Sequence, residues 1–134
     1  MTARPLRWVM NLWPPFLFSG IQVDHIAPDY SRAEVSLHLR WYNRNYVGSH
    51  FGGSLFAMTD PFWMLLALRR LGNDYIVWDQ AGEIAFVRPG RSTVRASFHL
   101  DDASVDSLRE EAAGGGKVLR WFDTEVADTE GEVV

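Results

Sequence analysis

Gly53-Ser-Leu-Phe-Ala-Met-Thr-Asp60-Pro61-Phe-Trp-Met-Leu-Leu-Ala-Leu-Arg69-Arg70-Leu71 places apolar side chains on nearly every side of a helical wheel. A helix that is apolar all round belongs in the middle of a structure, with other elements covering it. At about 1.5 Å per residue it would run roughly 28 Å, the width of a small domain. Arg69 and Arg70 stand at its C-terminal end, where cations complement the helix dipole, and Gly72 supplies the stop. Pro61 cannot donate to the carbonyl four residues back, so the spacing predicts a kink beside Asp60.

What surrounds this helix reads as strand. Residues 20–28 form a short strand ended by Pro28-Asp29. Val35, Leu37, Leu39 and Trp41 then alternate with Glu34, Ser36, His38 and Arg40, the signature of a half-buried strand. Beyond the helix come three more strand segments, Tyr75–Val87, Ser92–Leu100 and Lys117–Ala127. In the middle one Val94, Ala96, Phe98 and Leu100 alternate with Arg95, Ser97 and His99. Ala103–Ala112 reads as a short surface helix, Gly114-Gly115-Gly116 as a loop tip, and Pro5–Trp13 as an N-terminal helix. Val133-Val134, after the turn-like Asp128–Gly131, read as the start of a further strand that is incomplete here. One apolar helix enclosed by an antiparallel sheet makes an α+β domain spanning residues 1–134. The outer face of that sheet is expected to be partly apolar, which favours oligomers.

Composition narrows the function classes. The 134 residues are 47% apolar and 22% charged, which suits a globular chain. With no cysteine there is neither disulfide scaffold nor thiolate nucleophile, and four scattered histidines offer no zinc spacing, so no metal site is expected. The net charge of -4, with the acids concentrated beyond Leu100, argues against nucleic acid as a partner. Trp8 to Ile21 is apolar and follows Arg4 and Arg7, but Pro14-Pro15 interrupts it and it is too short to span a bilayer. The expected setting is therefore the cytoplasm, with no membrane partner.

Residues 45–60 read Asn45-Tyr-Val-Gly48-Ser-His50-Phe51-Gly52-Gly53-Ser-Leu-Phe-Ala-Met-Thr-Asp60. This resembles the phenylacetate-type thioesterases of the hotdog fold, whose signature is Asn, then His-Gly-Gly, then an acidic residue on the following helix. Asn45, Gly52, Gly53 and Asp60 fall on that pattern, and Phe86-Val87-Arg88-Pro89-Gly90 is similar to the strand-to-loop segment after the helix. The resemblance covers roughly residues 20–127 and looks closest to a branch of unknown function. In one departure the family's His falls on Phe51, with His50 one position earlier. The resemblance implies a hotdog fold, an acyl-CoA substrate, no cofactor beyond the coenzyme A of that substrate, and a homodimer or dimer of dimers.

Thioester hydrolysis requires a donor for the developing oxyanion and a carboxylate that attacks or activates water. The N–H of Gly52, at the start of a helix and without a side chain, suits the first task, with Gly53 and Asn45 beside it. Asp60 suits the second, although Asp60-Pro61 also has the form of a plain helix start. Eight residues separate Gly52 from Asp60, about 12 Å of helix. A reacting carbon must lie roughly 3 Å from each, so two helices running antiparallel across a two-fold axis are expected to share the site. His50, Phe51 and Trp63 are candidates for contact with the acyl group, and Arg88 and Arg91 for the coenzyme A phosphates. Asp79 faces either the pocket or, more simply, solvent, while His25, His38 and His99 read as surface residues. The competing reading is a non-catalytic acyl-CoA or acyl-binding protein. A dehydratase would need a His base at the position that holds Phe51.

Overall fold

The computed structural model describes residues 1–134. In chain order the elements are α1 (Ala3–Leu12), α2 (Pro14–Leu17), β1 (Ile21–Ile26), β2 (Arg32–Leu37), α3 (Gly52–Thr59), α4 (Phe62–Leu71), β3 (Val94–His99), α5 (Asp102–Ala112) and β4 (Val126–Ala127). The strands form one sheet in the order β1-β2-β3-β4, each antiparallel to its neighbours. Val35 of β2 lies opposite Val23 on one side and Ala96 on the other, so the alternation seen along each strand continues across the sheet. Val23, Ala33, Val35, Leu37, Val94 and Phe98 are fully buried against the helices, within a core of 20 buried residues.

The central helix is broken where the sequence placed a kink. The N–H of Asp60 closes α3 on the Phe56 carbonyl at 3.1 Å, Pro61 has no N–H to offer, and Leu65 restarts α4 by donating to the Pro61 carbonyl at 2.9 Å. One helix over residues 53–71 thus becomes two. Phe62 and Leu66 of α4 are fully buried, each side chain contributing about 1.5–3 kcal/mol in apolar surface removed from water. Phe62 stacks on Phe98 of β3 at 4.8 Å between ring centres.

The N-terminal helices pack on β1 and reach α4 at its two ends. At one end the Met1 carbonyl accepts from the Tyr30 hydroxyl at 3.0 Å and from the Arg69 guanidinium. At the other, Phe16 of α2 faces Phe62 at 6.1 Å, and the buried Asn43 amide donates to the Ser19 carbonyl at 3.0 Å. Asn43 is fully used: it also donates to the His38 carbonyl at 2.7 Å and accepts from the Arg40 N–H at 2.7 Å, closing the corner after β2.

Three expectations need correcting. The outer face of the sheet is polar, not partly apolar: Arg32, Glu34 and Ser36 lie across from His99, Ser97 and Arg95, and Ser36 bonds to Asp24. Exposed apolar side chains sit elsewhere, on α1, α2, the loop over 41–51 and two extended segments, with Ile76 at 88% and Trp121 at 62% exposure. Those segments, 75–87 and 117–125, carry strand-like sequence but form no ladder, because neither lies beside a strand over its length. Their backbone hydrogen bonds lie at the ends, while Val77, Ile84 and Phe122 pack against the core. The Val87 and Arg88 N–H groups both donate to the Val134 carbonyl, at 2.8 and 3.1 Å, while the Val134 N–H donates to Val126 at 2.9 Å. Finally, the strand read over 34–41 occupies 32–37, since the chain turns at Asn43 and leaves Trp41 83% exposed. No helix is long and apolar enough to cross a membrane.

Candidate active site

Gly52 and Gly53 open α3, and their N–H groups precede any intrahelical acceptor. The Phe51 carbonyl already accepts from Ser54 and Leu55, at 3.0 and 3.2 Å, so the turn is tight. A Cβ at Gly52 would stand 2.7 Å from the Phe86 ring, and one at Gly53 would stand 2.7 Å from the Phe51 ring. The glycine pair therefore lies between two aromatic rings with its backbone as the only polar surface. Asn45 shapes the loop that leads there. Its carbonyl accepts from the Val47 and Ser49 N–H groups at 3.1 and 3.0 Å, and its amide donates to the Ser49 hydroxyl at 2.9 Å.

His50 faces inward. Its Nε2–H donates to the Ser92 carbonyl at 2.6 Å, its backbone N–H donates to Gly90 at 2.9 Å, and its buried Nδ1 has no partner. Burial pushes the imidazole pKa down, partly offset by the Ser92 carbonyl. Above the unfolded value of about 6.5 the ring is neutral in both states. As pH falls below that, the unfolded chain takes up the proton first, and stability is lost as pH falls through the lower folded pKa. Thermal melts between pH 8 and pH 5 should show this decline, and His50→Gln, which keeps a donor for Ser92, should flatten it. An unchanged slope in the variant would assign the decline to other groups.

At the far end of α3, Asp60 is exposed and accepts no hydrogen bond from the chain; Pro61 takes the N-cap position of α4 without any side-chain cap. The plain helix-start reading thus has no bond to support it. The segment from Asp79 to Phe86 runs back along α3, with Phe86 over Gly52 and Gly82 against the Phe56 ring. Loss of hydration first, and the negative charge of Asp60 second, hold the Asp79 carboxyl above the usual carboxylate range. Asp79 is exposed, as the simpler sequence reading had it, and it feels the charge of Asp60; Phe86 beside Gly52 went unread as a contact.

The remaining candidates have partners of their own or none. The Trp63 indole donates to the Thr124 hydroxyl at 2.7 Å and stacks on Phe122 at 4.6 Å, anchoring the segment before β4. Arg88 is shared between Asp128, at 2.7 Å, and Glu132. Arg91 is exposed and makes no ion pair. Within one chain, then, Asn45, His50, Phe51, Gly52 and Gly53 gather at the start of α3, and Asp60 stands at its other end.

The family model of DUF4442, a domain of unknown function, matches residues 3–134. The chain belongs to the DUF4442 family. The chain is similar to a probable thioesterase from Pseudomonas aeruginosa, with 24% identity, a TM-score of 0.82, and coverage of 98% of this chain and 87% of that one. It is similar to a thioesterase from Haemophilus influenzae at 14% identity and a TM-score of 0.68, covering 99% and 83%. A mutant of the phenylacetic acid degradation protein of Thermus thermophilus aligns at 21% identity and a TM-score of 0.52, covering 90% of each chain. At such identities the likeness shows the fold, and that fold is the hotdog. Among functionally curated proteins, none matches this chain. This DUF4442 member therefore has the hotdog fold, with its glycine pair and its aspartate at opposite ends of α3.

Proposed function

We propose that the chain hydrolyses acyl-CoA thioesters at a site shared by two copies. The observation that carries this reading is Asp60: a carboxylate at the break of the apolar central helix, with no partner of its own. The Gly52 N–H of a second copy, brought across a two-fold axis, supplies the oxyanion donor that one chain holds too far away, about 12 Å along α3. Asp60 then either attacks the thioester carbon, releasing the thiolate and leaving an anhydride that water cleaves, or takes a proton from the attacking water. Asn45 and His50 position the loop before Gly52, and the Phe51 and Phe86 rings flank the acyl group. Arg91 offers a free guanidinium for the phosphorylated end of coenzyme A, while Arg88 must share its charge with Asp128 and Glu132.

The second reading, an acyl binder without turnover, draws on Phe51 at the position where the related thioesterases carry His. Thiol release over a panel of acyl-CoAs separates the two. Hydrolysis requires free thiol in proportion to enzyme, whereas a binder raises the melting temperature with acyl-CoA and releases none. Sedimentation equilibrium at low micromolar concentration should find at least a dimer, and an active, folded monomer would remove the two-chain site.

A further inference from the structure

The N-terminal helices carry an apolar surface that the fold leaves uncovered. Helix α1 packs on β1 through Ala3, Leu6 and Met10, and Asn11 fixes it by accepting from the Val23 N–H at 2.7 Å. The opposite side shows Trp8, Val9 and Leu12 at 57%, 51% and 67% exposure, and Trp13, Leu17 and Phe18 extend it, the last at 75%. A helix with a buried face needs only polar residues on the other. Six large apolar side chains there call for a second apolar phase.

Charge identifies that phase. Between Met1 and Val23 the only ionisable side chains are Arg4 and Arg7, and the first acid is Asp24, in a chain of net charge -4. Arg7 lies over the Trp8 ring at 5.0 Å. Arg4, Arg7 and His25 also line an open notch of about 370 Å³ at the foot of α1, beside the exposed tryptophan. Cationic side chains beside Trp, Leu and Phe on one helix face form the pattern that settles at the headgroup level of a bilayer. A second copy fits less well, because a two-fold contact through this face would bring the arginines of both copies together.

We propose that α1 and α2 form a peripheral docking surface for an anionic bilayer, with the aromatic side chains at the acyl boundary and Arg4 and Arg7 on lipid phosphates. This departs from the expectation of a chain without a membrane partner, and it requires no spanning helix. It also stands apart from the thioesterase reading, since it is measured without substrate.

The test is co-sedimentation of the full chain with vesicles of phosphatidylcholine alone, or with roughly a third phosphatidylglycerol. The parent should bind the anionic vesicles several-fold more than the neutral ones, and less at high salt, because exposed charges are screened. Trp8→Ser with Phe18→Ser should lower binding roughly tenfold or more, since insertion scales with apolar area. Arg4→Gln should remove part of the anionic preference. All of these side chains are exposed, so circular dichroism and melting should be unchanged. A parent that stays in the supernatant with both vesicles overturns the proposal. So does a double Ser variant that binds like the parent. A double variant that instead changes sedimentation mass without vesicles assigns the face to a second copy and overturns it equally.

Discussion

Asp60→Asn should lower thioester turnover by about two orders of magnitude or more, the usual scale for an acid–base group, while the fold and its melting temperature stay intact. The two halves of that expectation come from the same geometry. Asn has the shape of Asp, the side chain is exposed so no cavity opens, and no hydrogen bond is lost because Asp60 accepts none. A capping role would predict little change of any kind, since Asn caps a helix about as well as Asp. Only a role for the negative charge in the reaction separates the two measurements. Steady-state thiol release, read as kcat and KM separately, should show the loss in kcat. An Asn variant with full turnover would return Asp60 to the helix start and leave hydrolysis without its carboxylate.

Phe62→Ala should cost about 3–5 kcal/mol, the range for removing a buried aromatic ring from a filled core. Phe62 is fully buried and joins three elements: its ring stacks on Phe98 of β3 at 4.8 Å and faces Phe16 of α2 at 6.1 Å. Against a typical total of about 5–15 kcal/mol, that is a large share of the fold's stability. Urea unfolding should show a lower midpoint at unchanged slope. A loss under about 1 kcal/mol would mean that α2 and β3 close over the gap, and that the aromatic row is not what fixes α4 on the sheet.

The parts of this fold that were legible in the sequence are those governed by periodicity. Val94, Ala96 and Phe98 alternate along β3 and are buried in that order, and the apolar run from Leu55 to Leu71 does lie at the centre. Tyr75–Val87 misled because an apolar, strand-like run does not make a ladder, which needs a neighbouring backbone, and sequence says nothing of where that backbone is. Pro14-Pro15 read as a break, and α1 does end at Leu12; the pair also begins α2, where the missing N–H costs nothing. The polar outer face was legible in Arg95, Ser97 and His99 themselves; the expectation of a dry one overruled them. Motif spacing singled out Gly52 and Asp60, which stand at the two ends of α3. The bond from His50 to the Ser92 carbonyl spans 42 residues, and the return of Asp79 along α3 depends on a tertiary path, so neither left a local signal.

The two extended segments bear on how the isolated chain behaves at high concentration. An edge that carries free backbone donors and acceptors, with little Lys or Pro to blunt it, is a template for any strand it meets. Residues 75–87 contain neither Lys nor Pro, and only Asp79, Gln80 and Glu83 interrupt their apolar side chains. Residues 117–125 begin at Lys117, the single lysine of the sequence, and expose Leu119 and Trp121. Aggregation of this chain is thus expected to start at these two ribbons of exposed peptide groups and not in the packed core. Conditions that keep solute strands apart, dilution and low ionic strength among them, will preserve the chain longer than conditions that merely raise its melting temperature.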